Sequence, residues 1–173
     1  MRSRTQRVYN HEAMGAQIID LRPTELALHS QEGNQIANFI DRNARVIYGD
    51  VMLMNEYMRQ YPHEIHRPWP SRKYNCHGLS FAARRTTIES AQEIAKILEE
   101  DGYHQVPQDK VLPGDMVIYY ESGDVAHSGI VVHVNEMKVP IVLSKWGNCH
   151  EVVHQLGRCP YRLGDVRFYR IKS

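Results

Sequence analysis

The stretch LPGDMVIYYESGDVAHSGIVVHVNEMKVPIVLS, residues 112–144, contains three short runs rich in β-branched and aromatic residues, separated by glycine, aspartate and asparagine. Such runs bounded by turn residues are typical of β-strands. Two more runs of the same kind, EVVHQL (151–156) and VRFYRI (166–171), follow before the C-terminus. The sequence therefore predicts an antiparallel sheet of about five strands from Asp115 onward.

The residues before this stretch show a helical period instead. TTIESAQEIAKILEEDGY, residues 86–103, has apolar side chains on one stripe, Thr86 and Glu89 spaced as a capping box, and Gly102 as a stop. Apolar residues between positions 34 and 61 recur at roughly the spacing of an amphipathic helix, and PTELALHS (23–30) has helix-start residues. Helices followed by antiparallel strands predict the α+β class.

A proline-rich segment separates the N-terminal part from the rest. Pro62, Pro68 and Pro70 interrupt YPHEIHRPWPSRKYN, residues 61–75, so this segment is predicted to be a linker or an ordered loop. We therefore expect residues 1–70 to form a helical extension that packs on a domain formed by residues 71–173.

Composition excludes several functional classes. The 173 residues include 21 Lys and Arg against 20 Asp and Glu, a balance that does not favour nucleic acid or another polyanion as a partner. No apolar run approaches the roughly 20 residues that a membrane helix needs, so no membrane partner is expected. The N-terminus has no apolar secretory core, and three cysteines are too few for a disulfide scaffold. We expect a cytoplasmic protein; its oligomeric state is left open.

YNCHGLSFA, residues 74–82, places Cys76 where a loop changes into a helix-like segment. Backbone N–H groups at a helix start lack intrahelical partners and can lower the pKa of a thiol. Gly78 would leave room for a substrate backbone to approach. These features favour a nucleophile, and a small cysteine buried in a core is the alternative.

A histidine in the strand-rich half is the candidate proton acceptor. His127 precedes the small pair Ser128-Gly129 at the entrance of a predicted strand, which would leave open space in front of its ring. An imidazole in that position can accept a thiol proton and return it. His133, on the same predicted strand, is interpreted as an ordinary strand residue.

Three blocks of the sequence together resemble the NlpC-type cell-wall peptidases, cysteine hydrolases of the papain-like class. CHGL (76–79) is similar to the C-S-G-L that opens their catalytic helix, LPGDMVIY (112–119) to their L-x-P-G-D-L-V-F-F strand, and AHSGIV (126–131) to their x-H-V-G-I-Y. The blocks occur in the family order, and the 51 residues from Cys76 to His127 are a separation usual for the family. The resemblance covers about residues 74–145, and residues 1–70 have no counterpart.

The resemblance implies a papain-like fold and an amide hydrolase without a cofactor. Cys76 would attack a peptide or γ-glutamyl carbonyl as half of a thiolate–imidazolium pair with His127, and the backbone N–H of Cys76 would help to hold the oxyanion. Peptidoglycan stem peptides are the favoured substrate. The residues expected to contact the substrate are Tyr74, Asn75, His77, Gly78 and Trp146.

The chain also departs from the family pattern. His77 replaces the usual serine, Asn75 replaces a common aspartate, and VLSKWGN (142–148) lacks the histidine that many members carry there. A deamidase or acyltransferase acting on an intracellular protein is therefore an alternative, as is a catalytically inactive binding module on the same fold. A wall substrate would require export by a dedicated system, since no secretory signal is expected.

The group that orients His127 is predicted from strand pairing. A hairpin that turns near Asn135-Glu136 would place residues 144–146 opposite His127. Lys145 is a poor orienter because a cation would oppose an imidazolium. A neutral imidazole can accept the ring N–H of His127, and the resembling peptidases often use a histidine in this role, which favours His154. The alternatives are His150, Glu151 and Ser144.

A zinc site is a competing interpretation of the C-terminal cysteines and histidines. Cys149, His150, His154 and Cys159 lie within eleven residues. However, HEVVH (150–154) is β-branched at its centre, and four residues of a strand span about 13 Å, too far for one ion. We therefore expect no metal, and no disulfide between Cys149 and Cys159 in a reducing compartment.

Overall fold

The computed structural model of the chain describes residues 25–162 and 164–172. These residues form an α+β fold with three α-helices and seven β-strands, which confirms the predicted class. In chain order the elements are α1 (Tyr48–Gln60), β1 (Ile65–His66), α2 (Cys76–Phe81), α3 (Ala91–Glu100), β2 (Tyr103–Val106), β3 (Met116–Glu121), β4 (Asp124–Val134), β5 (Pro140–Lys145), β6 (Glu151–Gln155) and β7 (Asp165–Ile171).

All seven strands belong to one antiparallel sheet with the order β1-β6-β5-β4-β3-β7-β2. The five strands predicted after Asp115 are β3 to β7. The sheet is larger than predicted because β1 and β2 add one strand at each edge. With two and four residues, these edge strands are too short to show the alternating pattern from which strands are recognised.

The register of the central strands determines which side chains share a face. Strands β4 and β5 form the predicted hairpin, with Gly129 opposite Ser144, and β5 pairs with β6 so that Lys145 lies opposite Glu151. Successive residues of a strand point to opposite faces. The first face therefore carries His127, Ser144, Trp146 and His154. The second face carries Ser128, Lys145 and Glu151.

Each face of the sheet is covered by helices. On the first face, Tyr57 and Tyr61 of the α1 region pack edge-on against the buried ring of Trp146, with centroids 5.3 and 5.0 Å apart. On the second face, α3 buries Ile94 and Ile97, and each such aliphatic side chain contributes about 1.5–3 kcal/mol on burial. Helix α2 contacts β4 and β5 on this second face.

The N-terminal segment is less helical than predicted. The helix expected between residues 34 and 61 forms only as α1, and the described part of PTELALHS, from residue 25, is not helical. Residues 34–47 instead run without a helix and bury Ile36 against the core beside α3. Residues 1–24 of the predicted extension lie outside the described residues. The segment also supplies β1, so it contributes to the sheet.

Helix α3 begins five residues later than its predicted start at Thr86. Its N-cap is Ser90, whose hydroxyl accepts from the backbone N–H of Gln92. Thr86 does not cap the helix because its hydroxyl donates to Asn38 at 2.7 Å, and Thr87 forms a β-bridge with Phe39. Tertiary contacts therefore override the local capping pattern. No helix among the described residues is long and apolar enough to span a membrane.

Candidate active site

Cys76 is the first residue of α2, as predicted, and Asn75 holds it there. The Asn75 side-chain oxygen accepts from the Gly78 backbone N–H at 2.8 Å and caps the helix, while its amide nitrogen donates to the Ile88 carbonyl at 2.6 Å. The side chain therefore ties the helix start to the chain that precedes α3. Asn75 positions Cys76, a role beyond the predicted substrate contact.

The thiol of Cys76 reaches the strand that carries His127. Burial raises the pKa of the thiol, and the nearby backbone N–H groups of Ser128, His77 and Cys76 itself oppose that rise. The residue is half-buried. The fold therefore brings Cys76 close to β4, the strand that carries the predicted base, across 51 residues of sequence. Cys76 begins the helix on the second face, whereas the His127 ring lies on the first face. Among the described residues, no hydrogen bond joins the two side chains.

His127 lies in an enclosed aromatic site on the first face. Its side chain is 1% exposed, its ring stacks on that of Tyr161 with centroids 3.5 Å apart, and the Tyr119 ring lies at 5.4 Å. Neither ring nitrogen has a hydrogen-bond partner within the described part of the chain. Leaving a buried polar group unpaired costs about 1–3 kcal/mol of stability. Both ring nitrogens are therefore free to bond to another group, at a cost in stability.

Burial makes both groups neutral at rest. It raises the pKa of the Cys76 thiol, a rise that the backbone N–H groups and the charge on Lys145 oppose. It lowers the pKa of His127 well below its usual value, and the neighbouring His77 and His154 lower it further. The resting pair is therefore thiol and imidazole, which differs from the expected thiolate–imidazolium pair because desolvation disfavours both charges.

Two residues predicted to contact substrate serve packing instead. The ring of His77 is buried, and its Nδ1 donates to Ser128 Oγ at 2.9 Å, since that hydroxyl itself donates to Ser80. A Cβ on Gly78 would lie 1.8 Å from the Thr86 carbonyl oxygen. The space beside Gly78 is thus filled by backbone, and His77 fastens α2 to β4.

His154 and Trp146 belong to a linear chain of hydrogen bonds on the first face. Trp146 Nε1 donates to Ser144 Oγ at 3.1 Å, the Ser144 hydroxyl donates to His154 Nε2 at 2.9 Å, and His154 Nδ1 donates to the Gln155 carbonyl at 2.9 Å. Both nitrogens of His154 are occupied, so it does not orient His127 in this structure. Trp146 is fully buried, which corrects the predicted substrate contact.

The other proposed orienting groups are engaged elsewhere as well. His150 Nε2 and His66 Nδ1 form a hydrogen bond of 2.7 Å. Glu151 lies on the second face, where it accepts from the Tyr74 hydroxyl at 2.7 Å and pairs with Arg84. The orienting role predicted for one of these groups therefore has no hydrogen bond to support it among the described residues.

A cleft of about 260 Å³ lies beside the loop that leads to Cys76. Tyr74 and Asn75, two of the residues predicted to contact a substrate, line it. The charged residues that line the cleft are Asp41, Arg45, Arg72 and Glu89. Groups of both signs therefore face this space.

Two residues of the site were not recognised from the sequence. Tyr161 covers His127 from an irregular segment after β6, where no local pattern indicates a partner. Lys145 directly follows the apolar run VPIVLS (139–144) and is completely buried at the end of β5. Its Nζ donates to the Gly147 carbonyl at 2.7 Å. A charge at the end of a core strand is the signal that could have identified Lys145.

Within residues 25–162 and 164–172, histidine, cysteine, aspartate and glutamate side chains form no cluster of three or more that could hold a metal ion. Cys149 and Cys159 are free, buried thiols.

No protein-family model, curated protein or solved structure matches this chain. The function is therefore inferred from the chemistry of the site.

Proposed function

We propose that this protein is a papain-like thiol hydrolase that cleaves an amide bond, with Cys76 as the nucleophile and His127 as the proton acceptor. The observation that supports the proposal most strongly is the position of Cys76 at the start of α2, which packs against β4, the strand that carries His127. The His127 imidazole is buried, and neither of its nitrogens has a hydrogen-bond partner among the described residues. A cysteine and an available histidine, carried by a helix and a strand that pack together, are the parts that nucleophilic thiol catalysis needs.

The arrangement of elements agrees with a papain-like fold. A helix that begins with the cysteine lies on an antiparallel sheet, and the histidine lies on β4, one of the two strands that α2 contacts. The order of cysteine, Pro-Gly-Asp strand and histidine strand is the order in the peptidases that the sequence resembles.

The proposed reaction proceeds in two stages. A ring nitrogen of His127 takes the thiol proton of Cys76 as the sulfur bonds to the substrate carbonyl carbon, and the carbonyl becomes an oxyanion that backbone N–H groups near Cys76 stabilise. The oxyanion collapses, and His127 gives its proton to the departing amine. Water, deprotonated by His127, then attacks the thioester, which releases the acid and restores the thiol.

Tyr161 must move before this reaction can begin. Its ring covers one face of the His127 imidazole, and its hydroxyl accepts the Gly147 backbone N–H at 3.0 Å. With His127 only 1% exposed, a substrate cannot reach the ring nitrogens in the closed arrangement. The structure thus corresponds to a resting form, and the neutral protonation states of Cys76 and His127 belong to that form.

The substrate class proposed is a peptide or γ-glutamyl amide. A γ-glutamyl group carries a free α-carboxylate, and also a free α-amino group when it is the first residue of a peptide. A recognition site therefore needs a cation and, for the N-terminal group, an anion as well. The cleft beside Tyr74 and Asn75 is lined by two carboxylates and two guanidinium groups. Peptidoglycan stem peptides, the substrates of the resembling peptidases, contain such linkages. Deamidation or acyl transfer would use the same cysteine and histidine.

A non-catalytic binding module on the same fold is the second candidate. The burial of His127 beneath Tyr161 and the raised pKa of the Cys76 thiol favour it. The two candidates differ in the reactivity of the thiol and in turnover, both of which can be measured.

The test combines thiol labelling with a panel of peptide, γ-glutamyl and muropeptide amides. If the hydrolase proposal is right, Cys76 labels faster than the buried Cys149 and Cys159, and the protein hydrolyses at least one class of amide. Cys76→Ala and His127→Ala should abolish turnover, whereas His133→Ala, an exposed histidine on the same strand, should not. Slow labelling of Cys76 together with binding but no turnover would favour the binding module.

A further inference from the structure

We infer that Lys145 is a positioning residue whose ammonium group stabilises the thiolate of Cys76, an inference that rests on the proposed role of Cys76 as a nucleophile. Lys145 is 0% exposed at the end of β5. Lysine is almost never fully buried unless it is paired with an anion. In this structure the ammonium is not in any ion pair between described residues.

The fold directs Lys145 toward the thiol from the same face of the sheet. Continuing the register of Gly129 opposite Ser144 by one residue places Lys145 opposite Ser128, on the two strands against which α2 packs. The ammonium also lies 5.3 Å from the centroid of the Tyr74 ring, two residues before Cys76 in the chain. Strand pairing and the cation–π contact thus hold the charge at the start of α2.

Four ionisable groups from the surrounding elements act on Lys145. They are Asp50 of α1, Cys76 of α2, Cys149 of the turn after β5, and Glu151 of β6. The two carboxylates already have cationic partners, because Asp50 pairs with Arg72 and Glu151 pairs with Arg84 and Arg67. Arg72 also acts on Cys149, whereas Lys145 is the cation that acts on Cys76. Lys145 is therefore available to a thiolate of Cys76.

Of the two thiols, Cys76 is the one that a substrate can reach. Cys149 is completely buried, whereas Cys76 is half-buried at the end of a loop. Lys145 opposes the burial-driven rise in the thiol pKa of both cysteines. Since His127 is neutral in the resting site, Lys145 is the positive charge that an ionised Cys76 would meet first.

The chemical role of Lys145 is electrostatic and involves no transfer of its protons. When the thiol proton moves from Cys76 to His127, the sulfur becomes an anion beside the retained ammonium. Burial lowers the pKa of Lys145 to about 8, while the neighbouring thiolates and carboxylates raise it. The ammonium form is therefore present near neutral pH and is lost as the pH rises above about 8.

The test measures the rate at which iodoacetamide alkylates each cysteine across a pH series, resolved by peptide mass spectrometry. Lys145→Met keeps the length of the side chain and removes the charge. We expect the alkylation rate of Cys76 between pH 6 and 7.5 to fall about tenfold or more, because the cation that favours the thiolate in this range has been removed. Lys172→Met removes an exposed charge far from the site in sequence and should leave the rate unchanged. An unchanged Cys76 rate in Lys145→Met, or a fall confined to Cys149, overturns the inference.

A second measurement avoids any dependence on the folding of Lys145→Met. In the unmodified protein, the alkylation rate of Cys76 should rise with pH up to about 8 and then flatten, because the ammonium that favours the thiolate is lost there. Cys159 is the internal control, because it is not among the groups that act on Lys145 and its rate should show no such change of slope. A Cys76 rate that rises through pH 8 with an unchanged slope contradicts the inference. Neither measurement uses a substrate, so a protein that hydrolyses nothing but shows both effects would retain this inference and lose the hydrolase proposal.

Discussion

The ring of Tyr161 lies flat against the ring of His127, with centroids 3.5 Å apart and an angle of 11° between their planes. This contact encloses the imidazole and explains why burial dominates its pKa. In the proposed reaction, this contact must open before a substrate can reach the imidazole. The covering ring is therefore the first feature to change by mutation.

Tyr161→Ala should expose His127 and raise its pKa toward the ordinary value of about 6.5, because the desolvation that lowers it would be relieved. We expect a rise of one unit or more, measured by NMR titration of the imidazole C–H signals. Tyr161→Phe is the matched control, since it keeps the ring and removes only the hydroxyl that accepts from Gly147. A His127 pKa that is equally low in all three proteins would show that Tyr161 does not enclose it.

Gly78→Ala should destabilise the fold by about 3 kcal/mol, near the upper end of the usual cost of overpacking. The added Cβ would lie 1.8 Å from the Thr86 carbonyl oxygen, and backbone cannot move aside as a flexible side chain can. Gly49→Ala, in α1, is the control: its nearest neighbour would be the Ile47 Cδ1 atom at 4.0 Å. Urea unfolding measures both. Equal free energies of unfolding for the two variants would contradict the close packing of α2 on the Thr86 segment.

Stability should fall as the pH decreases from about 6.5 toward 4. Burial lowers the pKa values of His77, His150 and His154 to about 4 in the folded protein, whereas unfolded histidine titrates near 6.5. The unfolded chain therefore binds more protons than the folded protein between pH 4 and 6.5. The neutral buried histidines contribute their full stabilisation only above about pH 6.5. Near pH 5.5 the slope of the unfolding free energy should correspond to roughly one proton per buried histidine.

This pH dependence is measured by urea unfolding at several pH values. His133→Ala, which removes an exposed histidine, should leave the slope unchanged, and His154→Gln should reduce it. A slope near zero between pH 4 and 6.5 would mean that these histidines are not buried in neutral form.

His154→Ala should act on stability and leave the reactivity of Cys76 unchanged. The ring accepts from Ser144 and donates to Gln155, so its removal leaves a buried hydroxyl without an acceptor, at a cost of about 1–3 kcal/mol. The melting temperature and the Cys76 alkylation rate should be compared with those of His127→Ala. A loss of turnover in His154→Ala without a loss of stability would restore His154 as the group that orients His127.

The parts of the fold that were predictable are those with a long local pattern. Strands β3 to β7 show alternating apolar and polar residues, or dense runs of β-branched residues, between turn residues. The hairpin of β4 and β5 turns near Asn135-Glu136, as predicted. The start of α3 was misplaced because the hydroxyl of Thr86 bonds to Asn38, a residue 48 positions earlier. A local capping pattern contains no information about such a partner.

The candidate site divides in the same way. Cys76 and His127 were identified because their flanking residues form recognisable blocks. The burial of His77 and Trp146 depends on which face of α2 and of the sheet each residue occupies. The contacts of Tyr161 and Lys145 depend on segments that meet only in the folded chain. The positions of Cys76 at the start of α2 and of His127 on a core strand were therefore predictable, whereas the environment that sets their protonation states was not.

The most direct test of the central claim is to trap the acyl group on the enzyme. The protein is incubated with peptide and γ-glutamyl amides at neutral pH, quenched in acid and mapped by peptide mass spectrometry. We expect an acyl thioester on Cys76 that persists in His133→Ala, is strongly reduced in His127→Ala and is absent in Cys76→Ala. Amide hydrolysis that continues undiminished in Cys76→Ala, or an acyl group found on Cys149 or Cys159 instead, would contradict the account.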